Sequence, residues 1–174
     1  MRRVLSALAL AAFTAAGAGP AAAELLLTNV HWQRGRVERA RVAAWEDVTH
    51  LVDGPPKLDS RLRARLTLKN RGPKNIEGIL LRYSMTACVS SSVGGAEEGA
   101  WGIPFMVGEK RVPKMQPNQV IDVNLSTSPS LELYLNKLSR AGWWPDRVKL
   151  QVMIEPHKGT TALQSVENII EVRH

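Results

Sequence analysis

Between Arg61 and Lys69 the side chains alternate without a break. Leu62, Ala64, Leu66 and Leu68 fall on one side of an extended chain, and Arg61, Arg63, Arg65, Thr67 and Lys69 on the other. Successive side chains of a strand point to opposite faces, so this period of two describes a strand with one oily and one wet face, not a helix. A chain that contains it must lay a second apolar layer against the leucines.

The same period recurs along the sequence. Ile79, Leu81, Tyr83, Met85 and Ala87 share a face in the run from Ile76 to Val89, Ile121, Val123 and Leu125 share one in Val120 to Leu125, and Val148, Leu150, Val152 and Ile154 form another alternating run. Leu25 to Trp32, closed by Gly35, and Val37 to Val48, with Val37 and Ala43-Ala44-Trp45 as its apolar part, are further candidates; Ala162 to Val172 is the last. Turn chemistry separates them. Asp53-Gly54-Pro55-Pro56-Lys57 is the clearest break. Asn70-Arg71-Gly72-Pro73-Lys74-Asn75 predicts a hairpin between Arg61–Lys69 and Ile76–Val89, and Glu155-Pro156-His157-Lys158-Gly159 predicts a second one before the last strand. Ser90 to Gly99 reads as a loop, Trp101 to Val107 as an irregular edge strand because Pro104 has no N–H to give, and Trp143-Trp144-Pro145-Asp146 as a loop. One helix is predicted near residues 129–140, with Ser128 as its cap, Pro129 at the first position, Leu131, Tyr134, Leu135 and Leu138 at spacings of three and four, and Gly142 at its end. Many short strands and one late helix predict a mainly β fold, an antiparallel β-sandwich.

The first 23 residues read differently. Arg2 and Arg3 precede an apolar run from Val4 to Phe13, then Ala16-Gly17-Ala18-Gly19-Pro20 and Ala21-Ala22-Ala23. This is the order of a secretory signal peptide cleaved after Ala23, and the apolar run is too short to span a bilayer. The expectation is a single domain over 24–174, periplasmic or secreted and not transmembrane after cleavage. A lipid anchor needs a cysteine at the cleavage site, and the one cysteine is Cys88. With no partner in the chain it forms no internal disulfide, and its place in Tyr83–Val89 reads as buried and inert, with a reactive thiol as the alternative.

Read together, Leu66-Thr67-Leu68-Lys69-Asn70-Arg71-Gly72, the run from Ile79 to Met85, and Val112-Pro113-Lys114-Met115-Gln116-Pro117-Asn118-Gln119 before Val120-Ile121-Asp122-Val123 resemble exported bacterial immunoglobulin-like domains of the fibronectin type III and adhesion-related kinds. The resemblance covers Arg61 to Leu125 and rests on turn chemistry. It implies an immunoglobulin-like sandwich serving as a binding or structural module, and it carries over no catalytic residue. The helix near 129–140 and Asn118, where such links commonly have Gly, depart from that pattern.

Three groups of residues invite a functional reading. Arg61, Arg63 and Arg65, continued by Lys69, would form a cationic row on one sheet face, which an anionic lipid head group or acidic glycan could neutralise; the alternative is a wet face balanced by acids on neighbouring strands. Arg34, Arg36, Arg39 and Arg41 form a second basic cluster, read as wet loop and strand start. Trp143 and Trp144 are candidates for contact with a partner, whereas Trp101 is expected to be buried.

Other chemistries find no support in the pattern. The chain has 23 basic against 16 acidic residues, and only Arg2 and Arg3 fall in the leader, so the exported part stays net positive. Yet aromatic residues are few and no nucleic-acid motif occurs. His31, His50, His157 and His174 show no ligand spacing, so no metal or other cofactor is expected. No nucleophile or phosphate-loop motif occurs, and Glu97-Glu98 are adjacent loop carboxylates that point apart. The leading expectation is a non-enzymatic module that binds a protein or cell-envelope component. The alternatives are an anion binder acting through Arg61, Arg63, Arg65 and Lys69, and an enzyme with an unrecognised active site.

Overall fold

A computed structural model of the chain describes residues 25–39, 41–52, 60–91, 99–127, 129–155 and 163–173. The expected leader, the Pro55-Pro56 break, Glu97-Glu98, the Ser128 cap, and His157 and His174 lie outside the described residues.

In chain order the elements are β1 (Leu25–Glu38), β2 (Arg41–Val48), β3 (His50–Val52), β4 (Ser60–Asn70), β5 (Leu80–Ser90), β6 (Ala100–Trp101), β7 (Met106–Arg111), β8 (Val120–Ser126), α1 (Ser130–Arg140), β9 (Trp144–Ile154) and β10 (Gln164–Arg173). They build a four-stranded sheet of order β2-β1-β4-β8 and a six-stranded sheet of order β3-β10-β9-β5-β6, with β7 also on β5. The alternation of β4 is realised as read: Leu62, Ala64, Leu66 and Leu68 are buried, while Arg61, Arg63, Arg65, Thr67 and Lys69 face outward. The leucines meet Val123 and Leu125 of β8 within their own sheet. They share one buried cluster with Leu81 and Met85 of β5, Leu150 and Val152 of β9 and Ile170 of β10 from the other sheet. Leu131 and Leu135 of α1 join the same cluster. The molecule is mainly β, and two apolar faces closing on one core are consistent with a β-sandwich. Trp32 ties the layers together as well, its indole N–H donating to Asn168 Oδ1 of β10 at 2.8 Å.

Several expectations about connection are corrected. β4 and β5 do not form a hairpin: β4 pairs with β1 and β8, and β5 with β6, β7 and β9. Both strands carry a continuous apolar face, and such faces are removed from water by facing each other across the core. The link between the sheets is held at Asn70, whose buried amide donates to Lys74 O at 2.8 Å and Gln116 O at 2.9 Å while its Oδ1 accepts from the Gly72 N–H. Gly35 does not close the first strand. It lies inside β1 opposite Trp45, and the turn falls at Arg39, with φ of 48°. The pairing of β3 with β10 is parallel, against the expectation of antiparallel strands throughout, because the chain leaves β2 for the other sheet instead of turning back. Trp144 to Asp146 is strand, not loop. β9 begins at Trp144, and a register shift between Cys88 and Val89 leaves Asp146 as the extra residue of a bulge. The helix runs from Ser130 to Arg140, with no side-chain hydrogen bond at its start, and Gly142, φ 79°, follows its end.

Candidate functional site

The arginine row sits on the outer face of the four-stranded sheet, where sequence reading put it; an acid on a neighbouring strand does balance part of it, though which residues gather there was not legible. Arg65 is paired across the sheet with Asn124 and reaches Asp122, its Nε donating to Oδ2 at 3.0 Å; the Thr67 hydroxyl donates to Oδ1 of the same carboxylate at 2.8 Å. Those hydrogen bonds, Thr67's first and then Arg65's, hold the Asp122 carboxyl below the ordinary range. Arg63 lies over the Trp45 ring at 3.9 Å from its centroid and donates from Nε to Gln33 Oε1 at 2.8 Å. Gln33 in turn donates to Asp47 Oδ1 at 2.7 Å. Burial, with Arg65 alongside, lowers the Arg63 pKa. Trp45 covers Gly35 so closely that a Cβ there would stand 2.8 Å from Val42 Cγ1 and 3.1 Å from the indole, which is why this strand position is glycine. Arg61 is exposed at the end of the row and Lys69 is half-buried. Of the second basic cluster, Arg36 is ion-paired with Glu38.

The free margin of the other sheet is of a different kind. From Trp101 to Val107 the chain hangs on β5: the Gly102 N–H donates to Ala87 O and the Phe105 N–H to Met85 O, both at 3.0 Å, and Pro104 lies between these two donors. Phe105 stacks on Tyr134 of α1, with ring centroids 4.2 Å apart and planes inclined by 11°, so helix and margin are held together. Around this stack, apolar side chains stand in water. Ile103 is 82% exposed and Val107 73%, and Trp101, Leu133 of α1 and Trp143 just past the helix are exposed too. Isolated exposed apolar groups are ordinary; Trp101, Ile103 and Val107 together on the one stretch that hangs on β5 are not.

No family model and no curated protein matches this chain. Among the described residues, no helix is long and apolar enough to cross a membrane.

Trp101, expected to be buried, is exposed beside two cations: Lys149 Nζ lies 4.8 Å and the Arg147 guanidinium 5.7 Å from its ring centroid. β6 is only two residues long, too short to cover the ring. Trp143 is exposed and Trp144 half-buried at the start of β9. Cys88 is buried opposite Trp101, as expected, but not in an apolar setting. Arg147 Nη2 approaches its Sγ at 3.4 Å, Asp146 lies buried nearby, and Gly99 passes so close that a Cβ there would stand 2.7 Å from the sulfur. Sequence reading had no signal for Arg147, which lies 59 positions away and arrives only through the pairing of β5 with β9. Ile103, Val107 and Leu133 were missed for another reason: an apolar residue in an edge strand or on an amphipathic helix is expected to be covered, and only the packing shows that these are not.

Proposed function

We propose that this chain is an exported, non-enzymatic immunoglobulin-like module that binds a protein component of the cell envelope through the apolar margin formed by Trp101, Ile103, Val107, Leu133 and Trp143. The observation that carries the reading is the exposure of these side chains along a margin braced by the Phe105–Tyr134 stack. Burying such groups against a partner removes apolar area from water, and aromatic residues are the frequent anchors of such contacts. The anionic-ligand reading draws less support, because Arg65 and Arg63 already have partners within the sheet.

The immunoglobulin-like part of the proposal draws on strand order. Immunoglobulin-like sandwiches set the first, second and fifth strands in one sheet against the third, sixth and seventh in the other. Here β1, β4 and β8 share a sheet, β5, β9 and β10 share the other, and β7 lies beside β5. The β2–β3 excursion and α1, placed between β8 and β9, are additions to that plan. Export draws on the leader-like run of Arg2, Arg3 and Val4–Phe13.

The test is capture from an envelope extract on the immobilised protein, compared with the Ile103→Glu/Val107→Glu double variant. The reading expects one set of bound proteins that the double variant fails to retain. Equal retention by both proteins contradicts it.

A further inference from the structure

Five strands have an edge that no described strand pairs: β2 and β8 in one sheet, β3, β6 and β7 in the other, β6 being only two residues long. An open edge invites pairing with another chain unless something blocks it. β3 is only three residues long. β7 carries Glu109, Lys110 and Arg111, and the pairing of Lys110 with buried Leu81 places that charge on the core-side face. Gly108 is also filled over by Tyr83, whose Cζ would lie 2.5 Å from a Cβ at that position. β2 carries Arg41, Glu46 and Asp47, and its ladder with β1 is broken by a register shift between Arg36 and Val37. Charges, inward-pointing lysines and bulges are the usual blocks on an edge.

β8 has no bulge and no inward-pointing charge. It runs seven residues, Val-Ile-Asp-Val-Asn-Leu-Ser, in unbroken register with β4, without proline or lysine. Its one charge, Asp122, is taken up by Arg65 and Thr67 of β4. Val120 at its start is exposed.

The strand is also complementary to itself. Antiparallel pairing of two copies about a two-fold axis through Val123 matches all seven residues: Ile121 beside Leu125, Val120 beside Ser126, and Asp122 beside the Asn124 amide, a donor for its carboxylate. No like charges stand opposite each other. Shifting the axis to Asp122 brings two carboxylates face to face, which costs pairing energy. We propose that the β8 edge is a homodimer interface, in which two copies of this chain join their four-stranded sheets through antiparallel β8 strands in the register centred on Val123. A single edge pair lies at the small end of specific interfaces, so the dimer is a concentration-dependent one. This inference does not depend on the apolar margin, which lies on the other sheet.

Sedimentation equilibrium of the purified protein over a concentration series tests it, with three variants. Asn124→Asp puts a second carboxylate opposite Asp122 of the other copy, twice by symmetry, while meeting Arg65 within its own chain. We expect monomer–dimer association in the parent protein, weakened about tenfold by Asn124→Asp and unchanged by Asn124→Ser or Ile103→Glu. A parent that stays monomeric at the highest concentration overturns the proposal. So does a dimer that tolerates Asn124→Asp or is lost in Ile103→Glu.

Discussion

The outer face of the four-stranded sheet and the free margin of the six-stranded sheet both stand in water, and they do so on opposite terms. On the first, the row is balanced as the wet-face reading expects, by residues that folding brings in: Asp122 of the neighbouring strand for Arg65, and Trp45, Gln33 and Asp47 for Arg63. On the second, a stretch that reads as an irregular edge strand leaves Ile103 and Val107 uncovered. A charge at a surface is in its preferred solvent whether or not it binds anything, whereas apolar area in water keeps a cost that a partner can remove. For this molecule the exposed isoleucine is therefore the stronger functional sign than the exposed arginines.

That contrast can be broken at three levels. The largest expected effect comes from setting a covered apolar residue against an uncovered one. Leu66→Ala, in the core of β4, should destabilise by about 2–5 kcal/mol through lost burial and a residual cavity, whereas Ile103→Ser should change stability by less than about 0.5 kcal/mol. Urea unfolding of both variants checks this, and a large loss for Ile103→Ser would mean that the margin is core. Next in size is Gln33→Leu, which leaves Arg63 Nε and Asp47 without their shared partner and should cost about 1 kcal/mol in the same assay. If it costs nothing, the row is not held by its neighbours and the contrast weakens.

The smallest effect is in acid. Thr67 and Arg65 hold the Asp122 carboxyl below its ordinary value, and hydrogen bonding to Lys114 does the same for Glu77. A carboxyl whose pKa is lower in the folded state binds its proton less readily than in the unfolded chain. Its contribution is therefore present above the unfolded value of about 4 and is lost as pH falls through the folded value. Stability should drop below about pH 4, and the Asp122→Asn variant should show a shallower drop. Urea midpoints across the acid range read this directly; parallel curves for the two proteins would remove Asp122 from the account.

What could be read from sequence was what depends on near neighbours in the chain. The period of two placed the faces of β4, β8 and β9 correctly, because burial of alternate residues is a local consequence of strand geometry. Leu131 and Leu135, spaced by one helical turn, likewise pointed to the buried side of α1. Partnership across the fold was not legible. The turn at Asn70–Asn75 looks like a hairpin turn, and nothing in those residues says that β5 continues in the other layer. Trp144-Pro145-Asp146 looks like loop because Pro145 cannot donate to a ladder, and only a bulge at Asp146 makes it strand. The Arg63–Trp45 stack joins residues on β4 and β2, which do not pair with each other and meet only because Gly35 of the intervening β1 leaves room for the ring.

Binding is proposed at the apolar margin and not at the cationic face, and salt separates the two most directly. For the envelope protein captured by the immobilised chain, the dissociation constant should stay level or tighten between about 0.05 and 1 M salt, because burial of Ile103, Val107 and Trp143 involves no screened charge pairs. A dissociation constant that rises steeply over the same range, and equally in the parent and the Ile103→Glu/Val107→Glu variant, would contradict the account and return the function to Arg61, Arg63 and Arg65.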